Sequence, residues 1–118
     1  MGKEPIIIVG GEPNSIFLEI FFKSLKANTY KSPLIIIVSK KLLQKQMRKL
    51  DFDFKINDIN KKLKDFSKLN NNQINLINVD FDFTKCFDKI TSKSNKYIEK
   101  AFKTALNFIK QNNLSKFI

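Results

Sequence analysis

Four consecutive β-branched residues, Ile6, Ile7, Ile8 and Val9, open the chain's first apolar run. A run without alternation predicts a strand covered on both faces, as in the interior of a parallel sheet, and therefore a central strand. The next apolar residues, Ile16, Phe17, Leu18, Ile20, Phe21, Phe22 and Leu25, follow helical spacing and cover nearly the whole circumference. That predicts a helix capped by Asn14 or Ser15 and buried on more than one side. Asn28 and the Lys31-Ser32-Pro33 segment end it, because Asn accepts the left-handed cap conformation and Pro excludes a helical predecessor. Leu34 to Val38 repeats the first strand's character. Ser39 then begins a second helix with Leu42, Leu43, Met47 and Leu50 on one face.

The second half is less regular. Phe52, Phe54 and Ile56 alternate with Asp51, Asp53 and Lys55, a period of two that predicts an edge strand with one wet face. Asn57 to Asn72 is rich in Lys and Asn, and Ile59, Leu63 and Phe66 at helical spacing predict a short exposed helix and a loop. Ile74, Leu76, Ile77 and Val79 predict another strand, and Thr84 to Lys93 a loop. Tyr97, Ile98, Ala101, Phe102, Ala105, Leu106 and Ile109 give the clearest amphipathic helix, capped by Ser94 or Asn95 and ending near Asn112-Asn113. Leu114 to Ile118 reads as the start of a strand. Strands and helices in alternation predict an α/β fold: part of a doubly wound, mostly parallel sheet with helices on both faces. The order of elements suggests a single α/β segment, 1–118, from the beginning of a longer protein.

The turn joining the first strand to the first helix, Val9 to Ile20, is the first place to look for a ligand. Anions bind where a strand's carboxyl end feeds a helix N-terminus. Only Gly10 and Gly11 stand where a dinucleotide fingerprint needs three spaced glycines, and Glu12 would repel a phosphate. With no histidine in the chain, the usual general acid/base near neutral pH and the commonest nitrogen ligand for transition metals are both missing. The lone Cys86 has no His to activate it and reads as a packing thiol. One cysteine also precludes an internal disulfide and suits a reducing compartment, so a cytoplasmic protein is expected. The Asp-Phe-Asp-Phe repeats at Asp51 to Phe54 and Asp80 to Phe83 place two carboxylates on one side of a strand. Such a pair can hold a hard cation, but a solvated face opposite an apolar one is the simpler account.

A net charge of +11 raises the question of nucleic acid. Arg48 is the only arginine among 22 cationic residues, which are spread from Lys3 to Lys116, so nucleic-acid binding is not expected. No apolar run approaches the ~20 residues of a membrane span.

The stretch Gly11-Glu12-Pro13-Asn14-Ser15-Ile16-Phe17-Leu18-Glu19-Ile20 resembles the G-D-P-A-G-I-G-P-E-I signature of the 4-hydroxythreonine-4-phosphate dehydrogenase family of vitamin B6 biosynthesis. Gly11, Pro13, Ile16, Glu19 and Ile20 match. Pro33 to Val38 is similar to the family's P-L-V-V-I-G strand, and Ser94 to Asn113 to the helix before its T-x-P-I-x-K segment. The resemblance implies an α/β oxidoreductase related to isocitrate and isopropylmalate dehydrogenases. It also implies a homodimer acting on a phosphorylated small molecule with NAD(P) and a divalent metal held by histidines. In the family those histidines and the main cofactor-binding parts come later in the chain, so no catalytic residue, cofactor or metal is expected in this segment, which should be inactive alone. Asn14, Ser15, Phe17 and Leu18 replace Ala, Gly, Gly and Pro of the signature, and the lost glycines remove a close backbone approach. Glu12, Asn14 and Glu19 are the residues expected to face the substrate cleft. The alternative is a stand-alone α/β binding or regulatory module that uses the same turn for a small anionic ligand.

Overall fold

The computed structural model describes residues 5–10, 17–27, 32–63, 66, 69–80, 92–112 and 114. Within them lie four strands and three helices: β1 (Ile6–Val9), α1 (Phe17–Ala27), β2 (Leu34–Val38), α2 (Lys40–Lys49), β3 (Ile56–Asp58), β4 (Ile74–Asn78) and α3 (Ser92–Asn112). The strands form one parallel sheet in the order β1-β2-β4-β3, with Ile6 opposite Leu34, Ile36 opposite Leu76 and Ile56 opposite Ile74.

Register assigns the side chains to faces, because successive residues of a strand point to opposite sides. Ile6, Ile8, Leu34, Ile36 and Leu76 share one face. Helix α1 lies against it, since Phe17, Ile20, Phe21 and Leu25 border a groove of about 220 Å³ with Ile6, Ile8 and Leu34. Helix α2 packs beside α1, and α3 crosses the opposite face over β1 and β2. Both faces are thus covered by helices, as the uninterrupted apolar strands predict. Every residue of β2 is buried. Ala101 and Ala105, fully buried, let α3 come close to the sheet between Tyr97 and Phe108.

Several expectations change. Among the described strands β1 stands at one end of the sheet, and β2 and β4 are central. Its apolar run reports cover on two faces and carries no count of neighbours. The alternating stretch 51–56 becomes a strand only at Ile56, because the end of α2 redirects the chain. Asp51 adopts φ 60°, while its N–H donates to Arg48 O at 3.4 Å and that of Phe52 to Met47 O at 2.9 Å. This is a Schellman-type helix end with Asp in the place usually held by Gly, and Asp is one of the few residues tolerant of that conformation. The turn sends Phe52 and Phe54 inward, where their rings lie 5.4 and 6.1 Å from that of buried Phe22. Full burial of a Phe is worth roughly 1.5–3 kcal/mol, and these two partly buried rings gain part of that.

Among the described residues of 57–72 there is no helix. Turns occupy Lys61-Lys62 and Asn71-Asn72, and Phe66 packs its ring 6.0 Å from that of Phe108. Helix α3 begins at Ser92, so Ser94 and Asn95 lie inside it and do not cap it. Phe108 is buried while Phe102 and Leu106, expected in the core, are 41% and 57% exposed. In α1 the same holds of Ile20, at 55%. Both helices carry wider apolar faces than one side of this sheet covers. The caps Asn14 and Ser15, Phe81 to Phe83, the loop from Thr84 to Thr91, Cys86 and the segment Ser115 to Ile118 lie outside the described residues. No helix among the described residues is long and apolar enough to cross a membrane.

Candidate functional site

Helix α2 leaves the carboxyl end of β2 on one face of the sheet, and α3, which follows β4, lies on the other. Neighbouring strands whose connections diverge open a crevice between their carboxyl ends, the usual ligand position in open parallel sheets. Here that crevice lies between β2 and β4, one strand away from the turn after β1.

Its floor is backbone. Val79 N–H donates to Val38 O at 3.1 Å, the last backbone rung between these strands among the described residues. Ser39 caps α2, its hydroxyl oxygen accepting from Leu42 N–H at 3.3 Å. The backbone N–H of Ser39 donates to the Tyr97 hydroxyl oxygen at 2.8 Å. Ladder alternation aims this N–H toward β1, as Ile37 O accepts from Gly10 N–H. By this level β1 has ended, so the phenol from α3 takes the place of the next rung. Tyr97 is buried, which pushes its hydroxyl up to about 12, while the hydrogen bond from Ser39 pulls the other way.

Lys40 N–H donates to Asn78 Oδ1 at 2.8 Å across the mouth of the crevice. Asn78 Nδ2 in turn donates to Asp80 Oδ1 at 3.0 Å. The Lys40 ammonium reaches sideways to Asp58 Oδ2, 2.7 Å away, at the carboxyl end of β3. Asp58, Lys40, Asn78 and Asp80 thus form a polar shelf along the ends of β3, β2 and β4. All four stay accessible to solvent, and the Lys40–Asp58 pair, at 36% and 56% side-chain exposure, adds little to stability. The shelf offers one cation, two carboxylates and an amide, enough to orient a small polar molecule that carries both an anionic and a hydroxyl or amino group.

Gly10 borders the crevice from β1. A Cβ there would lie 2.8 Å from Val38 Cγ2 and 3.0 Å from Val38 Cβ, so the close approach of β1 to the end of β2 needs glycine.

Of the three residues expected at the cleft, Glu12 and Asn14 lie outside the described residues. Glu19 sits in the first turn of α1, with its carboxylate 3.2 Å from the Lys23 ammonium one helical turn on. That pairing leaves Glu19 outside the group brought together by Lys40, Asp58, Asn78 and Asp80. The sequence carried one signal for this second group, the Ser39 cap directly after a buried strand. Asp80 was marked only as one of the paired carboxylates, and Lys40 and Asn78 had no signal, since their meeting depends on strand order. Asp51 and Asp53, the paired carboxylates, are exposed, and the described residues contain no group of three or more potential metal ligands.

No protein-family model matches the sequence, nor does any curated protein. Solved structures do. A 4-hydroxythreonine-4-phosphate dehydrogenase from Burkholderia phymatum superposes with a TM-score of 0.78 at 18% identity, over 97% of this chain and 35% of that one. The enzyme of the same description from Klebsiella pneumoniae gives 0.77 at 14% identity, over 98% and 36%. The chain therefore spans about a third of their length, and it has the fold of that third of a 4-hydroxythreonine-4-phosphate dehydrogenase, the family whose signature its sequence resembles.

Proposed function

We propose that this chain is the N-terminal segment of a 4-hydroxythreonine-4-phosphate dehydrogenase-like oxidoreductase of vitamin B6 biosynthesis, and that it has no dehydrogenase activity alone. The observation that carries the reading is the agreement of two independent likenesses. The signature at Gly11 to Ile20 and the fold of nearly the whole chain point to the same family. In such an enzyme NAD(P) accepts the hydride and a divalent metal polarises the oxidised carbon's oxygen, with decarboxylation following. The described residues do not fit the metal, since they bring no set of ligands together and the chain contains no histidine. Nor does the chain hold the three spaced glycines of a dinucleotide fingerprint. Both groups belong, on this reading, to the remaining two thirds of the fold and to its homodimer.

What this segment contributes is a wall of the cleft. The shelf from Asp58 to Asp80 would bind the polar end of a phosphorylated hydroxy amino acid, Lys40 through its charge and Asn78 through its amide. Glu12 and Asn14 would approach from the turn after β1. Lys40 pairs with the exposed Asp58 carboxylate and can exchange that partner for a ligand anion at small cost.

The test has two arms. The purified chain mixed with 4-phosphohydroxy-threonine, NAD(P)+ and Mg²⁺ is expected to form no NAD(P)H, and turnover would refute the claim of inactivity. Joined in one polypeptide to the rest of a family enzyme in place of that enzyme's matching third, it is expected to support turnover. Failure of a well-folded chimera to bind 4-phosphohydroxy-threonine would count against the family reading and favour a binding module for another anion.

A further inference from the structure

The geometry points to Tyr97 as a positioning residue for the crevice: its hydroxyl holds the β2–α2 turn in place and so links the seating of α3 to the shape of the site. The inference rests on the proposed role of the crevice between β2 and β4. Its basis is the hydrogen bond at 2.8 Å from Ser39 N–H to the phenol oxygen, between residues 58 apart in sequence. Ser39 and Tyr97 are both buried, at 1% and 3% exposure, so water is a poor substitute partner for the amide. Ser39 is also the last residue before Lys40, whose N–H meets Asn78 and whose side chain forms the cationic part of the shelf. Loosening the Ser39 N–H therefore shifts the N-terminus of α2, and with it the Lys40 amide and ammonium.

The arrangement divides the labour at one residue. The Ser39 hydroxyl serves the helix by accepting from Leu42 N–H, while its backbone N–H serves the sheet by reaching α3. Ala101 and Phe108 lie on the same buried face of α3 as Tyr97. A Phe at position 97 keeps the ring and removes the hydroxyl to which Ser39 N–H donates. By reciprocity, a ligand that fixes the crevice must also tighten α3, and whatever moves α3 must change affinity at the crevice.

Amide hydrogen exchange followed by NMR on the full chain tests this. In Tyr97→Phe, the Ser39 and Lys40 amides are expected to exchange about 5–10-fold faster, the equivalent of about 1 kcal/mol for one hydrogen bond. The Ile36 and Leu76 amides should stay as protected as before. Ser39→Ala is the second variant: it should speed exchange at Leu42 and leave the position-39 amide protected, because its N–H remains bonded to Tyr97. Titration with 4-phosphohydroxy-threonine adds a functional readout, with Tyr97→Phe expected to bind several-fold more weakly at a temperature where both proteins are fully folded. An unchanged Ser39 amide in Tyr97→Phe, or equal acceleration at Ile36 and Leu76, would overturn the positioning role. If the unaltered chain binds none of this ligand, the ligand reading fails, and the exchange data still decide the role of Tyr97.

Discussion

The two ends of the parallel sheet are both polar, yet they are built in opposite ways. At the amino end Asn75, 1% exposed, donates from Nδ2 to Leu34 O and Asn70 O, each at 3.0 Å, and its Oδ1 accepts from Asn57 Nδ2 at 3.2 Å. Asn71 closes the neighbouring gap, accepting from Leu34 N–H and donating to Ser32 O, both at 2.9 Å. At the centre of that network Asn75 is buried and its amide is engaged on both sides by the protein. At the carboxyl end the polar side chains of Lys40, Asp58, Asn78 and Asp80 are accessible to solvent, while Ser39 and Tyr97 are sealed. One end spends its side chains on locking β2, β3 and β4 in register, and the other keeps them accessible. A polar cluster marks a candidate site when its groups remain available, and abundance of polar residues alone does not show it.

The largest test of that contrast is at the closed end. Asn75→Ala strands Leu34 O, Asn70 O and the Asn57 amide, and should cost about 2–4 kcal/mol, read as a lower urea midpoint at unchanged slope. Next comes the sealed part of the open end. Tyr97 keeps its proton to about 12 in the folded chain against about 10 when unfolded. The stability this provides is complete below pH 10 and falls away as pH rises from 10 to 12, because the unfolded chain ionises first. The loss should reach roughly 2–3 kcal/mol by pH 12 and be absent in Tyr97→Phe, as alkaline denaturation curves of the two proteins would show. Gly10→Ala forces a methyl against Val38, which is 1% exposed, and should destabilise by about 1–3 kcal/mol in the same urea assay. Smallest of all is Lys40→Ala. Removal of an exposed ion pair should change stability by less than about 1 kcal/mol while abolishing most binding of 4-phosphohydroxy-threonine by calorimetry. A large stability loss there would make Lys40 a structural residue like Asn75.

Much of the fold could be read from the residues because it follows from local rules. Ile6 to Val9 and Leu34 to Val38 are uninterrupted apolar runs, mostly β-branched, that suit strands covered on both faces, and Ser39 before Lys40 is a helix cap with the buried pattern Leu42, Leu43 and Met47 behind it. The misreadings share a cause as well. Phe52 and Phe54 alternate like a strand, but the left-handed Asp51 decides their path, and nothing in an Asp distinguishes that role from a solvated one. Phe102 and Leu106 match a core stripe at helical spacing, and how much of the stripe is covered depends on what α3 packs against. The site was the hardest part. Lys40 and Asn78 are 38 positions apart and meet only because β4 inserts between β2 and β3, a topological fact that no pattern of residues states.

The most direct test is an NMR titration of the isotope-labelled chain with 4-phosphohydroxy-threonine. The account predicts saturable shifts at Ser39, Lys40, Asp58, Asn78 and Asp80, with Asn57, Asn71 and Asn75 unmoved. Shifts centred on the amino-end asparagines, or none at any of these positions, would contradict it.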